Sequence, residues 1–229
     1  MNAPEMRALV FDAYGTIFDV ASVQQTCLRH FPDKGKALTD MWRSKQLEYT
    51  WLRALMGRYE DFEAVTEAGL RASCLALGLK LEEPARRELM ENYFRLSVYP
   101  EVPAALERLA RSRALAILSN GSPNMLNRAA EHNGIGLRFK HILSVDAIRI
   151  YKPFPKVYEL AVNALGLKPA QIGFVSSNYW DAAGAKSFGF YVFWINRFRR
   201  PQDELGFRPD REVFTMDEIA DLVETGAAG

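Results

Sequence analysis

Polar side chains that could carry out chemistry lie at the ends of four short apolar stretches of the sequence or shortly after them. They are Asp12 in FDAYGT, Ser119 and Asn120 in ILSNGSP, Lys152 in IYKP, and Ser176 to Asp181 in FVSSNYWD. If the stretches are parallel strands, their carboxyl ends share one edge of a sheet, and these side chains surround a single crevice. A carboxylate beside an ammonium group and several neutral hydrogen-bond donors is suited to nucleophilic catalysis by the carboxylate.

Each of these residues also has an ordinary structural interpretation. An aspartate after a strand, such as Asp12, is often an N-cap or a turn residue. Ser119, Asn120 and Gly121 alone form a common turn sequence. The indication of a shared site comes from the order, in which Asp, then Ser and Asn, then Lys-Pro, then Ser-x-Asn-x-x-Asp each follow a predicted strand.

The elements that must position these residues are predicted from apolar runs and helical periodicity. The predicted strands are Ala8 to Asp12, Leu115 to Ser119, Ile142 to Val145, Ile172 to Ser176 and Tyr191 to Ile195. They are nearly all apolar, as strands covered on both faces are, and helical segments such as Asn124 to His132 and Lys156 to Leu165 separate the last four. The sequence therefore predicts an α/β fold with a doubly wound, Rossmann-like parallel sheet.

Between Val20 and about Val98 the sequence predicts helices and no strand. The predicted helices are Ala37 to Met56, Glu60 to Leu77 and Glu82 to Leu96. The first carries an apolar stripe expected to face a core, formed by Leu38, Met41, Trp42, Tyr49, Leu52, Leu55 and Met56. Because several helices in a row interrupt one sheet, we expect an inserted helical cap subdomain of residues 20–97 in a core domain of residues 1–19 and 98–229.

Composition excludes several classes of protein. The 229 residues carry 29 Lys and Arg against 28 Asp and Glu, so no net field attracts nucleic acid or an anionic membrane. The longest apolar run, Phe190 to Ile195, is far shorter than the roughly 20 residues that cross a bilayer. We expect a cytoplasmic protein without a secretory signal, with Cys27 and Cys74 as free thiols and Asn196 to Arg211 as a solvated loop.

The sequence resembles the haloacid dehalogenase-like hydrolases, whose first motif is an aspartate followed four residues later by a threonine, here Asp12 and Thr16. The likeness covers nearly the whole chain, because the helical insert corresponds to the cap of that superfamily. It is most similar to the L-2-haloacid dehalogenases, through FDAYGT, MWRSKQLEYT, YEDF, LSNGSP, YKP and FVSSNYWDAAGA. The resemblance implies metal-independent and cofactor-independent hydrolysis of short (S)-2-haloalkanoic acids to (R)-2-hydroxy acids, with inversion.

The resemblance also implies catalytic roles. Asp12 would attack C2 of the haloacid, expel halide and form an ester that water then hydrolyses. Lys152 would keep Asp12 ionised, and Thr16 and Ser176 would supply hydrogen bonds. Asp181 would position or activate the water. Asn178 is implied to face the departing halide, and it completes the expected catalytic set.

The residues expected to bind substrate are Ala13, Tyr14, Arg43, Leu47, Phe62, Ser119, Asn120, Tyr158 and Trp180. By resemblance, Ser119 and the backbone of Asn120 hold the substrate carboxylate, while Arg43 faces the halide. Leu47 and Phe62 would form an apolar wall, although packing within the cap explains both equally well. Tyr158 is implied to orient Lys152 or the carboxylate end of the substrate, and core packing is its alternative.

Three other functions stay open at this stage. A magnesium-dependent phosphatase of the same superfamily usually has a second aspartate where this chain has Tyr14, because an alkoxide leaving group needs an acid. A phospho-accepting signalling module would leave the helical insert unexplained. A catalytically silent binding protein is the third alternative. The expected partners are a small haloacid and halide, with no nucleic acid or membrane, and a second copy of the chain in a homodimer.

Overall fold

The structure is a computed structural model that describes residues 6–226, and six strands within them form one sheet. The strands are β1 (Ala8–Phe11), β2 (Ala114–Ser119), β3 (His141–Ser144), β4 (Ile172–Ser176), β5 (Tyr191–Ile195) and β6 (Arg211–Val213). All five pairs are parallel, in the order β3-β2-β1-β4-β5-β6. The predicted doubly wound α/β fold is confirmed, and its topological switch point lies at β1.

The five predicted strands are all present, with ends that differ by no more than a residue. Strand β1 is buried throughout, between β2 on one side and β4 on the other. The sixth strand, β6, begins at Arg211, the last residue of the segment expected to be a solvated loop. Its sequence, REV, has no apolar run because Arg211 and Glu212 are exposed at the sheet edge.

Five helices pack around the sheet. They are α5 (Val102–Ala110), α6 (Pro123–His132), α7 (Pro155–Leu165), α8 (Tyr179–Phe188) and α9 (Met216–Glu224). Local sequence sets their ends: the Ser122 hydroxyl accepts a hydrogen bond from the Met125 amide at the start of α6. Gly166 ends α7 at a φ of 66°, in the left-handed region that glycine adopts without strain. Helix α8 begins directly after β4, so its first turn stands at the edge where the site residues converge.

The segment between β1 and α5 is helical, as predicted. It contains α1 (Gln24–His30), α2 (Gly35–Leu55), α3 (Phe62–Ala76) and α4 (Glu83–Tyr93). Helices α2 and α3 approach closely at Gly69, where an added Cβ would lie 3.2 Å from the Gln46 backbone nitrogen. The Trp42 indole crosses the same contact and donates to the Thr66 carbonyl at 2.7 Å. Among residues 6–226, no helix has the length and apolar character needed to span a membrane.

The prediction that the apolar stripe on α2 faces a core along its whole length is wrong at the carboxyl end of the helix. Leu52, Leu55 and Met56 are 43%, 85% and 62% exposed, whereas Leu38 and Trp42 are fully buried. The last buried residue of α2 is Thr50, so the final turn extends beyond the packed part of the helix. Periodicity identified the correct face but could not show where the packing along that face ends.

Candidate active site

Asp12 follows β1 directly and is almost fully buried. Its backbone amide donates to the Val175 carbonyl at 2.9 Å, which extends the β1–β4 ladder by one residue. The carboxylate oxygen Oδ1 accepts from Lys152 Nζ at 3.1 Å, and Oδ2 accepts from Asn178 Nδ2 at 2.8 Å. Thr16 Oγ1 also donates to Oδ2, at 3.0 Å, while Ser176 Oγ lies farther away at 3.5 Å. These donors fix the carboxylate plane.

A tight turn after Asp12 explains why the threonine must stand four residues later. The Ala13 carbonyl accepts from the amides of Thr16, Ile17 and Phe18, and Gly15 has a φ of 91°. This left-handed conformation is accessible to glycine without steric cost. The turn brings the Thr16 hydroxyl back to Asp12, while its oxygen accepts from the Ser177 amide at 2.8 Å. The loops after β1 and β4 are thereby joined through one hydroxyl.

Lys152 is a fully buried cation between two carboxylates. Its ammonium group lies 3.1 Å from Asp12 Oδ1 and 2.9 Å from Asp181 Oδ2. Burial disfavours the charged form, but the two carboxylates outweigh it and raise the pKa of Lys152 above its ordinary value. Its backbone amide donates to Asn120 Oδ1 at 3.0 Å. The Asn120 side chain therefore joins the loop after β2 to the segment that carries the lysine.

Asp181 lies in the first turn of α8 and is inaccessible to solvent. Burial and the charge of Asp12 raise the pKa of Asp181 to about 6, although Lys152 opposes the shift. Tyr158 donates to Asp181 Oδ1 at 2.8 Å, and within the described residues no hydrogen bond joins it to Lys152, one of the two partners that the resemblance implied. Gly184 makes this contact possible, since an added Cβ there would lie 2.6 Å from the tyrosine oxygen.

Arg43 reaches the site from helix α2. Its guanidinium donates to Gln46 Oε1 at 2.7 Å and to the Tyr14 carbonyl at 3.3 Å, and it approaches Asn178 Oδ1 at 3.5 Å. Gln46 is itself fully buried and donates to Thr66 Oγ1 at 2.6 Å. Arg43 and Gln46 lie three residues apart on one face of α2, and their hydrogen bond orients the guanidinium toward the loop that follows β1.

The remaining predicted binding residues surround this centre without hydrogen bonding to it. Phe62 is buried with its ring centroid 5.2 Å from that of Tyr14, and Trp180 packs edge-on against Trp51. Leu47 is half-buried on α2. Ser119 is buried at the end of β2, where its hydroxyl oxygen accepts from the Gly121 amide at 3.1 Å. Within the described part of the chain, no side-chain hydrogen bond joins Ser119 to Asp12.

Comparison with known proteins agrees with this arrangement. The family model for haloacid dehalogenase-like hydrolases matches residues 6–189. The chain belongs to this family.

Three relatives illustrate how much of the chain the family likeness covers. The chain is 48% identical to an (S)-2-haloacid dehalogenase of Pseudomonas sp. (strain YL), over 97% of this chain and 96% of that protein. The crystal structure of an L-2-haloacid dehalogenase superposes with a TM-score of 0.94 and 44% identity, covering 96% of this chain and 99% of that one. The structure of an L-2-haloacid dehalogenase of Xanthobacter autotrophicus with chloropropionic acid covalently bound superposes with a TM-score of 0.91 and 38% sequence identity. The match covers 96% of this chain and 98% of that one.

Within this family, Tyr14 occupies the position where phosphatases usually place a second acid. Its side chain is 3% exposed, with rings of Phe62, Phe18 and Tyr93 around it. Burial raises the pKa of Tyr14 well above its ordinary value. Residues 6–226 contain no group of three or more His, Cys, Asp or Glu side chains arranged to hold a metal ion.

A cavity of about 420 Å³ lies between α2 and the segment after β5. Asp12 does not line it, but Arg43 and Asn178 do, and Asn178 donates directly to Asp12. Leu47 is also part of its wall. The cavity therefore meets the site on the Asn178 side of the carboxylate, opposite Lys152.

Two residues that contact the site were not predicted from the sequence. Gln46 is buried between Arg43 and Thr66, where it supports the guanidinium of Arg43. Arg197, assigned to the solvated loop, donates to the Thr16 carbonyl at 3.1 Å and is largely buried. It follows β5 as the other site residues follow their strands, which was the available indication.

Proposed function

We propose that this chain hydrolyses the carbon–halogen bond of short (S)-2-haloalkanoic acids and releases (R)-2-hydroxy acids. It is a hydrolase acting on carbon-halide bonds, as its family and its near full-length (S)-2-haloacid dehalogenase relatives support. The observation that carries the proposal is the buried Asp12 carboxylate, held by Lys152 on one oxygen and by Asn178 and Thr16 on the other. Such a carboxylate is poorly hydrated, which favours attack on carbon.

In the first step, Asp12 attacks C2 from the face opposite the halogen. Oδ1 is the less encumbered oxygen, because it accepts one hydrogen bond while Oδ2 faces three donors. The new Oδ1–C2 bond forms as the halogen leaves with the bonding electrons, which inverts C2. Arg43 and Asn178 face the departing halide. Arg43 supplies the N–H donors, because both N–H groups of the Asn178 amide already donate to Asp12 and to the Tyr14 carbonyl. A halide leaving group needs no proton.

In the second step, water attacks the carbonyl carbon of the Asp12 ester. The ester C–O bond on the acyl side breaks, so the oxygen first bonded to C2 leaves with the hydroxy acid and Asp12 keeps the oxygen from water. Asp181 is the base we assign to this water. With a pKa near 6 it is largely deprotonated at neutral pH, so it can accept a proton. One proton is released with each halide.

Substrate binding uses the remaining predicted residues. Ser119 and the backbone of Asn120 hold the substrate carboxylate at the end of β2, and the backbone at Ala13 closes the same side. Tyr14, Leu47, Phe62 and Trp180 form the apolar surroundings of the halogen-bearing carbon. Tyr158 acts through Asp181, whose orientation it fixes by its 2.8 Å hydrogen bond.

The deciding experiment is halide release from each enantiomer of 2-chloropropionate. We expect release from the (S) enantiomer, with (R)-lactate as the product, and activity that a chelator does not change. The counter-test is hydrolysis of p-nitrophenyl phosphate with magnesium. Phosphate release with no halide release would overturn the proposal in favour of the phosphatase.

We also propose the domain division and the assembly. Residues 20–97 act as a cap over the core formed by residues 1–19 and 98–229, because Arg43 of α2 reaches the nucleophile loop. The exposed apolar turn of Leu52, Leu55 and Met56 supports a homodimer, since a second copy of the chain would cover it. Leu55→Asp should shift the dimer toward monomer in sedimentation. The free, buried thiols of Cys27 and Cys74 support a reducing, cytoplasmic location.

A further inference from the structure

The cavity beside the site contains positive charge that its surroundings leave unbalanced. Arg43, Arg197 and Arg200 line it. Arg197 pairs with Glu101, but within residues 6–226 neither Arg43 nor Arg200 forms an ion pair with a carboxylate. Two guanidinium groups without an ion-pair partner therefore border a cavity of about 420 Å³.

The carboxylates on the cavity wall balance only part of this positive charge. Asp19 and Asp40 are the two acidic residues that line it. Asp19 Oδ1 accepts from the Ala21 amide at 2.9 Å, and Asp40 pairs with Lys36 at 2.7 Å. Lys36 balances Asp40, whereas Asp19 keeps its charge but forms no ion pair with Arg43 or Arg200, so the wall retains a net positive charge.

Two buried polar atoms on the same wall have no hydrogen-bond partner in the described part of the chain. They are Ser177 Oγ and Arg197 Nε. Burying a donor without a partner is unfavourable, so two such donors beside one cavity indicate a ligand there.

Neighbouring contacts hold the Arg197 side chain and the Ser177 backbone in place. The Arg197 side chain is 9% exposed, lies 3.9 Å above the Tyr99 ring, and is bound to Glu101 and to the Thr16 carbonyl. The Ser177 backbone is fixed at both ends, since its amide donates to Thr16 Oγ1 and its carbonyl accepts from the Trp194 indole at 3.2 Å. The Arg197 Nε donor is therefore preorganised, and the backbone that carries the Ser177 hydroxyl is fixed beside the cavity.

We propose that this cavity is a second anion-binding site, which holds a halide or a small carboxylate against Ser177 and Arg197. Asn178 and Arg43 join it to Asp12 on the inner side, and the exposed Arg200 stands at the outer side. An anion in the cavity would thus lie between the nucleophile, from which Asn178 and Arg43 separate it, and the solvent at Arg200. Its use as the route for departing halide and arriving haloacid rests on the proposed function, whereas anion binding itself does not.

The test is bromide binding to the full chain, in crystals by anomalous scattering and in solution by broadening of the bromide NMR signal. The variants are Ser177→Ala and Arg200→Gln, neither of which alters a residue that contacts Asp12. Arg199→Gln is the matched control, because it removes the same charge from the adjacent position but does not line the cavity. Thermal unfolding of each variant shows that it is folded.

We expect a bromide peak in contact with Ser177 Oγ and Arg197 Nε. Loss of one hydrogen bond to an ion should weaken bromide binding about tenfold in Ser177→Ala. Arg200→Gln should also weaken it, and Arg199→Gln should bind like the parent. Bromide absent from the cavity would overturn the proposal. So would equal binding by the parent, Ser177→Ala and Arg200→Gln, which would mean an adventitious ion only.

Two further measurements show which anions the cavity binds and test anion binding independently of the proposed function. Propionate that displaces bromide from the cavity would assign it to carboxylates as well as halides, and propionate that does not would assign it to halides alone. Halide release from (S)-2-chloropropionate is measured on the same samples. Bromide bound in the cavity of a chain that releases no halide would overturn the proposed function and leave the anion site in place.

Discussion

The two oxygens of Asp12 face different surroundings. On the Oδ1 side lie Lys152 and Asp181, both inaccessible to solvent and hydrogen bonded to one another. On the Oδ2 side lies half-buried Asn178, which borders the cavity together with Arg43. The buried side has a closed set of charges, whereas the cavity side has donors still available to a ligand.

The contrast separates two tasks that a covalent hydrolase must combine. Fixed charges in a dry environment hold a nucleophile without reorganisation, because no water competes for them. Halide and water must also enter and leave during each cycle, and this requires an open path. In this chain the sheet edge carries the fixed charges, and the proposed path for halide and water is the cavity between α2 and the segment after β5.

The largest expected effect comes from removing the carboxylate that the two sides share. Asp12→Ala should lower halide release by about 10⁴-fold or more, since the nucleophile is lost. Asp12→Asn, which keeps the shape and the hydrogen-bonding capacity toward Lys152, should be equally inactive. Halide release at near the parental rate from either folded variant would exclude the ester mechanism.

A labelling experiment checks the same step without a substitution. In a single turnover in heavy-oxygen water, the label should enter the Asp12 side chain, and mass spectrometry of the peptide that contains Asp12 should detect it. Label found instead in the hydroxy acid would mean that water attacks C2 directly.

The next effect tests whether the buried side is a closed set of charges. Lys152→Met leaves Asp12 and Asp181 facing each other without the cation, and breaking a buried pair in this way typically costs about 3–5 kcal/mol of stability. Urea unfolding at pH 8 measures it. The control is Lys36→Met, which removes an exposed pair with Asp40 and should cost less than about 1 kcal/mol. Equal losses would contradict the division between the two sides.

The pH dependence of stability gives a second test of the buried side. The pKa of Asp181 is raised to about 6 from the ordinary 3.8, so between these values the folded chain binds more protons there than the unfolded chain. The free energy of unfolding contributed by Asp181 is therefore highest below pH 4 and falls as the pH rises through 6. Asp181→Asn should remove this decline. Parallel stability curves for parent and variant across that window would show that the carboxyl titrates normally.

The sequence predicts the buried side of the site better than the cavity side. Asp12, Lys152 and Asp181 follow strands or begin helices, so their convergence follows from the topology of a parallel sheet. Arg197 and Gln46 have roles that depend on what packs against them, and local sequence makes each resemble an ordinary surface or helix residue. The exposed turn at Leu55 was missed for the same reason, because helical periodicity does not show where a neighbouring helix stops covering the face.

The smallest effects lie among the three donors to Asp12 Oδ2, and their order tests the geometry of the cavity side. Asn178, Thr16 and Ser176 donate at 2.8, 3.0 and 3.5 Å, and hydrogen bonds weaken as they lengthen. Ser176→Ala should therefore lower kcat least, by no more than about tenfold, the net value of one ordinary hydrogen bond.

Asn178→Ala should have the largest effect of the three, because Asn178 also lies beside Arg43 and lines the cavity. Thr16→Ser, which keeps the hydroxyl, is the matched control for Thr16→Ala and should retain most of the activity. Steady-state halide release measures all four variants. If Ser176→Ala were the most damaging, the serine would serve the carboxylate in a conformation with a shorter contact, and the ranking of donors by distance would be wrong.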